Sequence, residues 1–301
     1  MKFKTKQRTF TINNINMGGQ PGELPTVLIG SIFYEGHKIV KDASKGVFDK
    51  EEAERLMKLQ DEMSEKTGNP CMVDIVGLNP EAMKRYIDFV ASTTDAPILI
   101  DSSSWRVKTS ALKHAAEVGL LDRVIYNSIS YNVKSEEIAA IKETGLKAAV
   151  LLAHNPRNPL ATGRIEALRG KEGILQIAKR AGIEKPLIDV GVLDVPSIGL
   201  AAEAIRLVKR EFGLPAGGAP LNAVLEWRRL RELSEYADKT CAASSAAVMQ
   251  IAGANFLLYG PIAKSVDLFP TCAMVDAIIA YVMRRRGIKP KAKSHPLYKI
   301  F

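Results

Sequence analysis

Residues Pro97-Ile98-Leu99-Ile100-Asp101-Ser102-Ser103-Ser104-Trp105 form a short apolar run that ends on an acid and passes through serines into a helical stretch. The design returns at Arg123-Val124-Ile125-Tyr126-Asn127-Ser128, at Pro186-Leu187-Ile188-Asp189 and in the loop Pro220-Leu221-Asn222. Each polar residue stands where a strand stops, which is where α/β enzymes keep their chemistry. The spacing supports a repeat: Asp74 to Asp101 is 27 positions, Asp101 to Asn127 is 26, and Asn127 to Ala153 is 26.

Working outward, strands are predicted at 26–33, 71–74, 98–101, 124–128, 147–153, 187–192, near 215–218 and at 255–259. Helical periodicity fills the intervals at 50–66, 79–92, 106–118, 135–144, from Gly163 to Ala181, and at 198–212. Further helices are predicted at 223–238, 242–251 and 271–285, and Gly68, Gly119 and Gly145 fit C-terminal caps. Residues 3–17 alternate around Asn13-Asn14 as a hairpin would, and Tyr34 to Asp49 is a long loop. Eight strand-plus-helix units predict an α/β fold of the (β/α)8 TIM-barrel type. It would be a single domain over 1–301, with the hairpin segment 1–22 closing its bottom and a basic tail at 287–301. The alternative, an open doubly wound sheet, wants a Gly-rich phosphate loop after its first strand, and Gly30-Ser31-Ile32-Phe33 is not one.

Lys and Arg number 42 against 33 Asp and Glu, a net charge of +9. That balance suits a basic enzyme or one with an anionic substrate. Aromatics are 6% and no basic stretch is interleaved with them, which argues against nucleic-acid binding. Cys71, Cys241 and Cys272 show no CxxC spacing, so a reducing compartment fits better than a disulfide framework. The first residues carry no apolar signal region, and no run of eighteen apolar residues follows, so the expectation is a soluble, cytoplasmic protein.

Strand-end position puts Glu35, Asp74, Asp101, Asn127, Asn155, Asp189, Asp194 and Asn222 near one mouth. Such residues also cap helices and form turns, which accounts well for Ser102-Ser103-Ser104 and Asn79. Capping accounts poorly for Asp189, because Val190-Gly191-Val192-Leu193 follows rather than a helix start. Asp101 and Asn127 end adjacent strands and should stand side by side, an acid and an amide able to grip a ring with donors and acceptors. No strand ends on a Schiff-base lysine, HExxH and His-x-His are missing, and no Gly-x-Ser-x-Gly elbow is present; no metal is expected. Gly217-Gly218 and Gly260 could cradle a phosphate after strands seven and eight. The tail from Arg284 reads as a solvated end or assembly surface away from the mouth.

Longer motifs carry a resemblance. Gly18-Gly19-Gln20-Pro21-Gly22, residues 30–38 (Gly-Ser-Ile-Phe-Tyr-Glu-Gly-His-Lys) and residues 67–74 (Thr-Gly-Asn-Pro-Cys-Met-Val-Asp) resemble the H subunit of tetrahydromethanopterin S-methyltransferase and its soluble relatives. So do Ile100-Asp101-Ser102, Tyr126-Asn127-Ser128 and residues 193–199 (Leu-Asp-Val-Pro-Ser-Ile-Gly); together they span nearly the whole chain. The relatives include methyltransferases that move a methyl group between a corrinoid protein and a tetrahydropterin, either tetrahydrofolate or tetrahydromethanopterin. More distantly, the chain is similar to methyltetrahydrofolate:corrinoid methyltransferases, which are barrels with an Asp/Asn pterin site.

The resemblance implies that Asp101, Asn127 and Asp189 hold the pterin, that Asn222 lies close to N5, and that Asn222 and Asp189 serve catalysis. Ser102, Asp74 and Glu35 lie in matching motifs and join the expected pterin site. It also implies a corrinoid (cobalamin-binding) partner protein, a homodimer, and membrane-complex components as further partners. Two alternatives stand beside this reading: a non-catalytic pterin-binding scaffold within a methyltransferase complex, and a dihydropteroate-synthase-like condensing enzyme.

Overall fold

The computed structural model describes residues 2–300. Eight parallel strands close into a barrel: β1 (Val27–Ile32), β2 (Cys71–Val76), β3 (Ile98–Asp101), β4 (Val124–Ile129), β5 (Ala148–Leu152), β6 (Lys185–Asp189), β7 (Ala216–Gly218) and β8 (Phe256–Pro261). They pair in chain order, and β8 returns to pair with β1. Strands covered on both faces read as continuous apolar runs; Val27, Leu28, Ile29, Ile98, Leu99 and Ile100 are all fully buried.

The surrounding helices are α1 (Lys50–Thr67), α2 (Pro80–Thr93), α3 (Trp105–Glu117), α4 (Ser135–Thr144), α5 (Ala161–Leu168), α6 (Ile174–Arg180) and α7 (Ser197–Glu211). After β7 come α8 (Pro220–Leu225), α9 (Leu230–Leu233) and α10 (Ala237–Ala252), and after β8 come α11 (Ser265–Arg284) and α12 (Pro296–Ile300). Local chemistry sets their ends. Asp49 accepts from the Glu52 N–H at the start of α1, Asn79 accepts from the Glu81 N–H at the start of α2, and left-handed Gly68 and Gly145 close α1 and α4.

The hairpin pairs Thr9–Ile12 with Ile15–Gly18. Ile12 and Met17 point into the core. Asn13 donates its backbone N–H to the Asp122 carbonyl and its Nδ2 to the Asp95 carbonyl, and Arg8 N–H reaches the Gly213 carbonyl. Those partners precede β4, β3 and β7, so the hairpin plugs the N-terminal end of the barrel, as the sequence suggested.

Several boundaries differ from expectation. Strand β6 ends on Asp189 rather than Val192, which frees Val190 to Asp194 for the mouth loop. The helix expected up to Ala181 is two helices parted at Arg169–Gly173, and the helix expected at 223–238 is two short pieces before a longer α10. Helix α11 starts six residues before the expected Thr271 and carries Pro270 in its second turn, where the missing N–H removes one helical hydrogen bond. The long loop from Tyr34 carries a small ribbon, Val40–Asp42 with Val47–Phe48.

The stretch Ile262–Arg284 is long and apolar enough to cross a membrane by length and composition, and 56% of that window is buried inside the structure. The tail is solvated at Arg284 to Gly287, Lys289 and Lys291, as expected, and docks only further on. Lys291 pairs with Glu23 at 2.8 Å, and His295, Pro296 and Leu297 are buried. Met1 and Phe301, the outer bounds of the predicted hairpin segment and tail, lie outside the described residues.

Candidate active site at the barrel mouth

The parallel register builds the mouth. Ser31 of β1 lies opposite Asp74 of β2, Asp101 of β3 opposite Asn127 of β4, and Asp189 of β6 opposite Gly217 of β7. Because alternate strands share a layer of barrel side chains, residues two strands apart can meet. Asn127 Nδ2 accordingly donates to Asp74 Oδ1 at 3.2 Å, across β3, and Ser31 Oγ donates to Asp74 Oδ2 at 2.8 Å.

Three carboxylates thus gather in one low-dielectric opening. Burial pushes Asp74 up to about 6 despite the Ser31 and Asn127 donors that favour its charged form. Burial likewise pushes Asp189 up to about 6, opposed by the Gly191 N–H and the Arg164 guanidinium. Asp101 is held well above the usual carboxylate range, first by burial and then by Asp74, with Asp189 adding to the rise and Lys108 opposing it. Among the described residues no side chain donates a hydrogen bond to Asp101; beside the Lys108 charge, the Ser102 backbone N–H is the hydrogen-bond donor that favours its charged form. Asp74 is buried and Asp101 and Asp189 are half-buried. Like charges so desolvated, without ion-pair partners among the described residues, call for protons or for a ligand rich in N–H donors.

Asp189 is framed by its loop. Gly191, in the left-handed region at φ 66°, turns its N–H onto Asp189 Oδ1 at 2.8 Å. Gly218 leaves space on the other side, where an added Cβ would come within 3.4 Å of the same oxygen. Asn222 is exposed in the first turn of α8, which Pro220 starts. Its Oδ1 lies 3.0 Å from where a Cβ on left-handed Gly260 would stand, so a side chain there would crowd the amide.

Other expected residues do not join this cluster. Glu35 is exposed in the β1 loop, and among the described residues no hydrogen bond or ion pair engages its side chain. Ser102 is buried, but its Oγ accepts the Ser104 N–H at 3.2 Å and shapes the turn into α3. Asp194 accepts the Ser197 N–H at 2.8 Å at the start of α7, and Asn155 accepts the Arg157 N–H at 3.0 Å while donating to Glu166. The capping explanation holds for these two. Among the described residues no group of three or more His, Cys, Asp or Glu is placed to hold a metal ion.

Sequence reasoning missed the groups that support the mouth from behind. Arg164, 3% exposed on α5, donates to the carbonyls of Val190 and Gly191 at 2.5 and 3.1 Å, bracing the loop beside Asp189. Lys108, buried on α3, donates to the Ser128 carbonyl at 3.0 Å. A lysine or arginine inside a helix reads as a solvated charge, and only the placement of the neighbouring strand end reveals otherwise.

Residues 5–291 match the family model described as the tetrahydromethanopterin S-methyltransferase MtrH subunit. The chain is 44% identical to the tetrahydromethanopterin S-methyltransferase H subunit of Methanopyrus kandleri, covering 97% of this chain and 96% of that one. It is 39% identical to the putative methyltransferase mtx H subunit of Methanosarcina barkeri, covering 98% of each.

Among solved structures, Yersinia pestis DHPS with a pterine-sulfa conjugate superposes with a TM-score of 0.62 at 14% identity, covering 90% of this chain and 99% of that one. Xanthomonas albilineans dihydropteroate synthase with 7,8-dihydropteroate gives 0.60 at 15% identity, covering 90% and 98%. At such identities the structural likeness establishes the barrel alone. The full-length sequence matches go further: the chain belongs to the H-subunit family of tetrahydromethanopterin S-methyltransferase.

Proposed function

We infer that this chain is a methyltransferase that moves a methyl group between N5 of a tetrahydropterin and a corrinoid carried by a partner protein. The observation that carries this reading is the buried Asp74–Asn127 pair with Asp101 beside it in register and without a side-chain donor. A pterin ring offers amino and N–H donors along one edge and a carbonyl acceptor beside them. Carboxylates accept the former, and Asn127 can serve both. The relatives' names favour tetrahydromethanopterin over tetrahydrofolate as the pterin.

A methyl group on N5 leaves easily only when the nitrogen carries a proton, since an amide-like anion is a poor leaving group. Asp189, pushed up to about 6, exchanges a proton near neutral pH, and the Asn222 amide can hydrogen-bond N5 as charge there changes. In the balanced step the N5–CH3 bond breaks, the methyl goes to the corrinoid, and the pterin keeps the N–H. The corrinoid supplies the nucleophile. This chain's residues orient the ring and leave the mouth open to the partner.

Exposed Leu225, Trp227, Leu233 and Tyr236 after β7 supply an apolar rim on which a partner could dock. For a homodimer a different surface is on offer, the exposed stripe Met274, Ile278 and Tyr281 of α11. A condensing enzyme of the dihydropteroate-synthase kind would need free cations at late strand ends for pyrophosphate. Lys264, after β8, is instead paired with Asp238 at 2.9 Å.

The test is spectroscopic. Cob(I)alamin mixed with the protein and methyl-tetrahydromethanopterin or methyl-tetrahydrofolate should convert to methylcobalamin with one of them. Pterin binding with no transfer in either direction, even with a cognate corrinoid protein, would favour the non-catalytic scaffold instead.

A further inference from the structure

Asn127 is held by a network that lies wholly behind the mouth. Lys108 is 8% exposed in the first turns of α3. Its Nζ donates to the Ser128 carbonyl at 3.0 Å, pairs with Glu137 Oε1 at 3.2 Å, and lies 4.6 Å from the centre of the Tyr126 ring. Tyr126 Oη donates to the same Glu137 oxygen at 2.5 Å. The other Glu137 oxygen accepts the Lys134 N–H at 2.9 Å, at the start of α4. Both neighbours of Asn127 in the chain are therefore fastened to one buried ion pair, Tyr126 through its hydroxyl and Ser128 through its carbonyl.

We propose that Lys108 is a positioning residue for the mouth, fixing the end of β4 so that the Asn127 amide stays on Asp74 and faces the ligand. The proposal deepens the pterin-site reading and rests on it for its functional meaning. Desolvating an ammonium and a carboxylate is costly, and well-packed apolar residues usually stabilise a fold at least as well. Bare stability is thus a weak reason for this pair. Its geometry gives a better one, because the strand end it grips carries the amide. The charge of Lys108 also eases Asp101, which Asp74 from β2 and Asp189 from β6 raise, while Arg164 does the same for Asp189.

The test reads the position of Asn127 without a ligand. Asp74 owes its rise to burial and is eased only by its Ser31 and Asn127 donors, with no direct contribution from Lys108. Carbon-13 titration of aspartate carboxyls in the free protein, made in an Asp101→Asn background so that this neighbouring acid cannot carry the loss of the Lys108 charge to Asp74, therefore reports whether Asn127 still donates. In Lys108→Met, Asp74 should titrate higher than its value in that background, by about as much as in Asn127→Ala. Glu137→Gln, which keeps the ammonium on the Ser128 carbonyl, should leave it near the background value.

Methyl-tetrahydromethanopterin affinity by calorimetry should fall at least tenfold in Lys108→Met and less than about threefold in Glu137→Gln. If Lys108→Met fails to fold, Lys108→Met/Glu137→Gln removes the stranded carboxylate and takes its place. An Asp74 titration unmoved in the Lys108 variant while Asn127→Ala shifts it would overturn the proposal, as would equal effects of Lys108→Met and Glu137→Gln. Failure of the wild type to bind the pterin would instead count against the pterin-site reading, and the Asp74 titration would still decide the role of Lys108.

Discussion

Asp276, buried, and Asp101, half-buried, are carboxylates at opposite ends of the same barrel. At the bottom, Asp276 of α11 accepts the Thr26 N–H and the Thr26 hydroxyl at 2.8 Å each and Asn69 Nδ2 at 2.7 Å. At the mouth, Asp101 has no side-chain donor among the described residues and two acidic neighbours. The cations differ too. Lys209 at the bottom is spent on the Gly19 carbonyl and Asn255 Oδ1, at 3.0 and 2.7 Å, whereas Lys108 braces a strand end. At the bottom the donors converge on the carboxylate, although Asn69 Oδ1 and Gln250 Oε1 are left without partners among the described residues, whereas at the mouth the carboxylates themselves are left open. Stability belongs to the first arrangement and recognition to the second.

The strongest way to break this comparison is to empty both ends. Asp276→Ala orphans three donors and should destabilise the protein by about 3 kcal/mol or more in urea unfolding. Asp101→Asn should instead stabilise the free protein at pH 8 by about 1 kcal/mol, roughly 2 °C in Tm, by removing a desolvated like charge. Its acid is raised in the fold, so the wild type's penalty exists above the raised value and disappears below the ordinary carboxylate range; the gain should vanish near pH 4. A destabilised Asp101→Asn protein at pH 8 would equate the two ends. Within the mouth, Asn222→Ala should lower turnover about a hundredfold with pterin affinity kept, a split visible in kcat against Kd.

Acid sharpens the contrast further. Asp74 and Asp189 are each raised to about 6. Their charged forms, the better acceptors for ligand N–H groups, dominate above that value, so pterin affinity should fall as pH drops through 6. The stability these two raised acids contribute runs the other way: it is fully present below the ordinary carboxylate pKa and lost as pH rises through 6. Calorimetry and thermal unfolding across pH 5–8 should therefore diverge. Smallest of all, Asp194→Ala removes only a helix cap and should cost about 1 kcal/mol with pterin affinity unchanged.

The barrel was legible because apolar runs end on polar residues at a steady period, and because each end was marked by turn or cap chemistry. Asp101 and Asp189 were legible for the same reason, as the last residues of β3 and β6, whereas Asp74 and Asn127 sit two residues inside strands that run on to Val76 and Ile129. Glu35 stands apart from them, exposed in a loop whose neighbourhood no periodicity fixes. The connection after β7 was misread because Ala216–Gly218 offers almost no side-chain pattern, and the exposed segment from Glu226 to Arg229 interrupts what looked like one helix. Lys108, Glu137 and Arg164 were invisible. Helical charges declare their burial only through the tertiary contact that satisfies them.

Calorimetric titration of methyl-tetrahydromethanopterin into the wild type and into Asp101→Ala tests the central claim most directly. The account predicts binding by the wild type and a loss of at least tenfold in the variant, with the fold intact by circular dichroism. Equal affinity in the two proteins would contradict it, and would mean that the open carboxylates at the mouth do not recognise the ring.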